Sequence, residues 1–172
     1  TIDEAQRLMS AVEQSESAML KYVVTMLLLT GSRRNEVLHA QWDDFDFQAR
    51  QWSIPKNKSA RPRYVPLSDQ AIRLLGTVPK FEGCSYVFPN PSTLKPYIQI
   101  YYAWDTARKR AGLDGLRMHD LRHSYASFLV NSGHTLYEVQ HLLGHARPIT
   151  TQRYAHLSNE RLQAATSAVG AS

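Results

Sequence analysis

Between Phe45 and Leu67 the hydrophobic pattern changes period, and this change constrains the fold more than any other feature of the chain. Phe45 to Phe47, Gln51 to Ile54 and Tyr64 to Leu67 are short, rich in aromatic and β-branched residues, and divided by turn residues. On both sides of this stretch apolar residues recur at helical spacing instead. The expected class is therefore α+β, mainly α-helical, with a small three-stranded antiparallel sheet near residues 45–67. The second connection, Pro55-Lys56-Asn57-Lys58-Ser59-Ala60-Arg61-Pro62-Arg63, is polar and basic, and it reads as an exposed hairpin tip.

Upstream, Ile2, Ala5, Leu8, Met9 and Val12, then Met19, Tyr22, Val23, Met26 and Leu27, predict helices over 2–14 and 18–29. Thr30-Gly31-Ser32 breaks the pattern before a short helix from Arg34 to Gln41. Ser68 is placed to N-cap a helix that runs to about Thr77, and a Pro/Gly-containing loop leads to a brief Tyr86-Val87-Phe88 segment. The second half reads as helices over 97–111, 119–132, 135–143, 148–154 and 158–167, punctuated by Gly112, Gly133, Gly144 and Pro148.

At 172 residues the chain has the length of one domain. It opens on Thr1 without a methionine and on a capping-box pattern, Thr1-x-x-Glu4, which suggests a domain cut from something longer. Its longest apolar run, Tyr22 to Leu29 with Thr25 inside it, falls far short of the roughly 20 residues of a bilayer span. No membrane partner is expected. Cys84 stands alone and has no internal disulfide partner, so a cytoplasmic setting is the default.

Lys and Arg number 20 against 15 Asp and Glu, and the sequence pI is about 9.4. The surplus sits mainly in 33–63 and 96–124. Such a balance favours a polyanionic partner, of which nucleic acid is the commonest.

The residues at the breaks between elements carry the chemistry. Arg33 follows Thr30-Gly31-Ser32, Lys58 lies on the hairpin tip, and His119 and Arg122 stand three apart in His119-Asp120-Leu121-Arg122-His123. On a helix this pair shares one face near the N-terminus, where free N–H groups and a guanidinium fork suit a phosphate. Two arginines can hold both non-bridging oxygens of one phosphodiester. His145 follows Leu142-Leu143-Gly144, and nine residues later Tyr154 brings a hydroxyl nucleophile. Taken singly, each residue also has a structural explanation: Arg33 as the partner of Glu36, His119 as a helix-start histidine, Tyr154 as core.

In five stretches the chain resembles the catalytic domain of the tyrosine recombinases of phage-integrase type, from Thr1 to about Arg161. These are Leu28-Leu29-Thr30-Gly31-Ser32-Arg33-Arg34-Asn35-Glu36-Val37, Lys58 seven residues before Val65-Pro66-Leu67, His119-Asp120-Leu121-Arg122-His123, Leu142-Leu143-Gly144-His145 and Thr151-Gln152-Arg153-Tyr154. The family usually has an apolar residue where Arg34 stands and a small or polar one at Asn35; neither position belongs to the catalytic set. The resemblance implies a single catalytic domain over 1–172 that lacks the family's N-terminal DNA-clamping domain. It implies double-stranded DNA as partner, a homotetramer on DNA for the full-length chain with a monomeric isolated domain, and neither metal nor other cofactor.

The resemblance also assigns roles. Tyr154 would attack DNA phosphorus to give a 3′-phosphotyrosyl link, Arg33 and Arg122 would stabilise the transition-state charge, and Lys58 would protonate the departing 5′-oxygen. His119 would help take the tyrosine proton or bond the phosphate, and His145 would donate to a phosphate oxygen. Glu36, Asp120 and His123 are expected as supporting residues: Glu36 orienting Arg33, Asp120 capping its helix or fixing His123, and His123 structural. Lys56, Arg61 and Arg63 are expected to touch DNA backbone.

Three alternatives stand beside this reading. A type IB topoisomerase shares the nucleophile and arginines. A zinc hydrolase is raised by the i, i+4 pairs His119/His123 and His141/His145, although Asp120 and Leu142 stand where the metalloprotease pattern needs Glu. A DNA-binding module without chemistry fits the charge and leaves the ordered set unexplained.

Overall fold

The computed structural model describes residues 2–55, 62–145 and 149–159. Helix α2 (Leu20–Thr30) is the centre of the fold. Leu20, Val23, Val24, Met26, Leu27 and Thr30 are all buried, so the helix is covered on more than one side and lies inside the molecule. Around it pack α1 (Ile2–Glu13), α3 (Arg34–Leu38), α4 (Asp69–Thr77) and α6 (Asp120–Asn131). Helix α5 (Tyr101–Arg110) lies on α1 through the buried Trp104 and Ala107. Ser68 caps α4 as its spacing predicts, its hydroxyl accepting the Ala71 N–H at 3.2 Å.

The sheet is antiparallel, in the order β1 (Phe45–Asp46), β2 (Gln51–Ile54), β3 (Arg63–Pro66). Phe45 pairs with Trp52, and Trp52 with Val65. These three form the inner face, with the Phe45 and Trp52 rings stacked at 5.3 Å, while Tyr64 stands exposed on the other face. Residues 56–61, and with them Lys56, Lys58 and Arg61, lie outside the described residues.

Two expected boundaries move, each for a tertiary reason. Helix α3 ends at Leu38 rather than Gln41, because the backbone beyond it pairs with 85–87: Val87 N–H donates to Ala40 O, Trp42 N–H to Ser85 O, and Gln41 bridges Tyr86. Helix α5 starts at Tyr101 rather than 97. Lys95 bridges back to Asn90, and Tyr97 packs on the core with its hydroxyl 3.4 Å from Ser17 Oγ, so its apolar character serves packing rather than helix periodicity.

At the C-terminal end α7 (Leu136–Leu143) opens on a reciprocal capping box between Thr135 and Glu138. The helix expected over 148–154 is the shorter α8 (Ile149–Gln152), followed by a turn at Arg153-Tyr154 and helical residues 155–159. The turn drops Tyr154 into a small second apolar cluster with Ala126, Leu129, Val130, Val139 and Leu143. The remainder of the helix expected over 158–167 lies outside the described residues.

Candidate active site

The site begins where α2 stops. Thr30 Oγ1 donates to Met26 O at 2.7 Å and accepts the Ser32 N–H, while Gly31 turns the chain in the left-handed conformation at φ 60°. The turn delivers Arg33 to the N-terminus of α3. Glu36 accepts the Arg33 backbone N–H at 2.7 Å and its Nη1 at 2.9 Å, so the carboxylate both caps the helix and braces the guanidinium.

Arg63 differs from its expectation as a DNA-backbone contact. Its side chain is largely buried, with Nη2 donating to Glu36 Oε2 at 2.7 Å and Nη1 to Leu142 O at 2.9 Å. It starts a strand that runs into the core rather than sitting on the hairpin tip, and the Glu36 charge holds it there. Burial works to raise the Glu36 carboxyl, but Arg63 and then Arg33 outweigh it and keep the carboxyl below its ordinary value.

Arg122 is 4% exposed and, among the described residues, has no carboxylate in hydrogen-bond contact. Its fork bridges two helix ends instead, Nη1 donating to Gly31 O and Nη2 to Leu143 O, both at 2.6 Å. Burial, with the nearby charges of Arg33 and Arg63, lowers it to about 10. It remains a cation at neutral pH, in a place short of negative charge.

His145 is set by the end of α7. Gly144 adopts φ 63°, and His145 N–H bonds back to Gln140 O at 3.1 Å in a Schellman-type closure. A Cβ on Gly144 would stand 2.4 Å from Arg63 Cδ, so glycine is what lets Arg63 cross here. The imidazole Nδ1 lies 2.8 Å from Thr151 Oγ1. Burial, followed by the charges of Arg122, Arg33, Arg153 and Arg63, lowers His145 to about 4, so its ring is neutral at pH 7.

Tyr154 is 5% exposed, and its hydroxyl lies 2.5 Å from His123 Nδ1. Burial raises its phenol, and Arg153 and Arg122 pull it partly back. His123 is therefore in contact with the proposed nucleophile. Asp120 does not fix it. That carboxylate is bound by Arg117, accepting its backbone N–H at 2.8 Å just ahead of α6, and lies below its ordinary value chiefly for that reason. His119 is exposed at the start of α6, its ring edge-on to His123 with centroids 4.9 Å apart. Burial and the charge of Arg122 lower it, leaving a neutral base.

Arg33, His119, His145 and Tyr154 are thus each within electrostatic reach of Arg122, and Arg33 and His119 line a cleft of about 800 Å³ together with Arg34 and Arg117. Sequence reading missed Arg153, whose Nη1 lies 3.4 Å from His123 Nε2, and the inward role of Arg63. The signal for His123 was present, since it stands four after His119 on the same helix face.

The zinc alternative finds no ligand set. Gly144 ends α7 between His141 and His145, His141 packs against Tyr137, and among the described residues no three His, Cys, Asp or Glu side chains gather as metal ligands.

The sequence profile of the phage integrase family matches residues 1–161. The chain is 33% identical over 172 residues to the integrase of Salmonella phage P22, an alignment that covers 92% of this chain and 43% of that protein. It is 30% identical over 171 residues to the tyrosine recombinase XerC of Staphylococcus aureus (strain MSSA476), covering 94% and 57%. The chain therefore spans about half the length of the curated relatives it matches. Among solved structures, the XerA recombinase superposes with a TM-score of 0.77 at 26% identity, over 97% of this chain and 61% of that one. The catalytic domain of bacteriophage HP1 integrase gives 0.74 at 26% identity, over 95% and 90%. XerH bound to its difH substrate, a post-cleavage complex, gives 0.73 at 28% identity, over 95% and 51%.

Proposed function

Because the chain belongs to the phage integrase family, we propose that it is the catalytic domain of a site-specific recombinase that cuts and rejoins double-stranded DNA through a 3′-phosphotyrosyl link on Tyr154. The observation that carries the reading is the gathering of Arg33 on its Glu36 brace, a neutral His145 and the Tyr154 phenol about a buried, carbonyl-tethered Arg122. Such a place is rich in fixed positive charge and short of an anion, and a scissile phosphate supplies one.

In the proposed step the Tyr154 oxygen bonds to phosphorus as the P–O5′ bond breaks. The phenol proton passes to His119, and Lys58 protonates the departing 5′-oxygen. Arg33 and Arg122 stabilise the charge that grows on the non-bridging oxygens. With Thr151 donating to its Nδ1, His145 keeps its proton on Nε2 and offers it to a phosphate oxygen. The phosphotyrosine conserves the bond energy, so a second strand's 5′-hydroxyl reverses the step without ATP or water. The residues suffice for this chemistry without a metal ligand set, and neither metal nor cofactor is proposed.

Recombination is favoured over topoisomerase-type relaxation because the relatives are named integrases and recombinases. We further propose that the full-length protein acts as a homotetramer on DNA and that this domain alone is a monomer. The setting is the cytoplasm; no helix among the described residues is long and apolar enough to cross a membrane. Lys56 and Arg61 are proposed as DNA-backbone contacts.

A suicide half-site, which loses its 5′-fragment on cleavage, tests the reading. The chain should become covalently attached to DNA, visible as a shifted band in a denaturing gel. Tyr154→Phe should remove the band and leave DNA binding in place. An adduct that persists in that variant refutes the assignment.

A further inference from the structure

The contact between His123 and Tyr154 has a direction that its partners decide. A neutral imidazole carries one N–H and one lone pair. The guanidinium of Arg153 has donors only, and its Nη1 faces His123 Nε2 at 3.4 Å. Nε2 is therefore assigned as the acceptor, and the ring proton lies on Nδ1, 2.5 Å from the Tyr154 oxygen. The opposite tautomer would set Nε2–H against an Arg153 N–H.

We propose that His123 donates a hydrogen bond from Nδ1 to the Tyr154 oxygen, holding the nucleophile in place and stabilising that oxygen as it loses its proton and bonds to phosphorus. This inference rests on Tyr154 being the nucleophile. The His123 proton stays on Nδ1 throughout: the phenol proton goes to His119, the O–P bond forms, the P–O5′ bond breaks, and the leaving oxygen takes its proton from Lys58. His123 is thus a donor to the reacting oxygen rather than a base.

The surroundings fit a neutral donor. Burial opposes a second proton on the ring, followed by His119, Arg153 and Arg117, while Asp120 acts the other way. On the tyrosine side burial disfavours the phenolate, and Arg153 and Arg122 offset part of that cost. A hydrogen bond to a developing oxyanion gains strength as the charge develops, so it lowers the barrier rather than merely holding the ground state.

Asparagine and aspartate at position 123 separate donor from acceptor, because they share a shape while the first offers an N–H and the second offers only lone pairs. Single-turnover adduct formation on the suicide half-site would be followed against pH for wild type, His123→Asn, His123→Asp and His123→Ala, with half-site affinity measured alongside as the folding control. The expected result is a loss of roughly ten- to hundredfold in H123A, the scale of one charge-assisted hydrogen bond. H123N should recover most of that loss, and H123D should be slower than H123N. The pH at half-maximal rate should move upward in H123A and H123D and return toward wild type in H123N. A side chain that merely filled space would leave that pH unmoved.

H123D equal to or faster than H123N overturns the donor role, and so do variants that all cleave like wild type. A wild-type chain that gives no adduct overturns the nucleophile assignment itself, a result distinct from either.

Discussion

Replacing Gly31 with alanine tests how the site is held together. At φ 60° an L side chain costs about 1–2 kcal/mol. The added Cβ would also stand 2.3 Å from Tyr125 Cδ1, a ring atom, and 2.9 Å from Cδ2 of the fully buried Leu143. Forcing a methyl into such packing costs about 1–3 kcal/mol. Gly31→Ala should therefore lose about 2–5 kcal/mol of stability in urea unfolding, the sum of the two effects. The consequence reaches the chemistry, because the Gly31 and Leu143 carbonyls are the two acceptors of Arg122. One methyl disturbs both ends of the bridge, so cleavage should slow even at saturating DNA. In a double-mutant cycle, Tyr125→Leu should return about 1–3 kcal/mol in the alanine background beyond its own effect. A Gly31→Ala protein within about 0.5 kcal/mol of wild type, or two substitutions that simply add, would refute the argument from steric overlap.

Arg122→Ala should slow adduct formation by at least about a hundredfold, the cost of a lost oxyanion donor, while most half-site affinity survives; a rate near wild type would remove Arg122 from the phosphate. Glu36→Gln should destabilise the protein at neutral pH by removing the charge shared by Arg33 and Arg63. Because the folded carboxyl lies below its ordinary value of 4.5, that contribution is present above about 4.5 and fades as pH falls through the lower folded value. Acid titration of the two unfolding curves should therefore show them converging below that pH. His145, at about 4, stays neutral over the working range, so a His145→Gln substitution should alter the cleavage rate without shifting its profile between about pH 5.5 and 8. Lys58→Ala should be slow on an ordinary half-site and largely restored on one with sulfur at the 5′-bridging position, since a thiolate leaves without a proton; an equal defect on both substrates would place Lys58 elsewhere.

Most of the framework was legible from residues close in sequence. The capping serine of α4 and the glycine stops depend on contacts within about five residues, and the three short sheet segments show in their own residue types and the turns between them, which is the range over which periodicity and turn chemistry act. The Arg33–Glu36 pair was legible for the same reason. Arg63 was misread because its neighbours in sequence are a basic hairpin, while its partners in space, Glu36 and Leu142, are 27 and 79 residues away.

The ordered arginines, histidines and tyrosine are a property of the sequence, and they named the chemistry before any fold was known. Which atoms meet is another matter. That His123 lies against the phenol, that Arg122 spans two carbonyls 91 and 21 residues from it, and that burial and four guanidiniums keep His145 neutral all follow from how α2, α6 and α7 pack. Burial and long-range electrostatics arise only when distant segments exclude water together, so they belong to the tertiary structure alone.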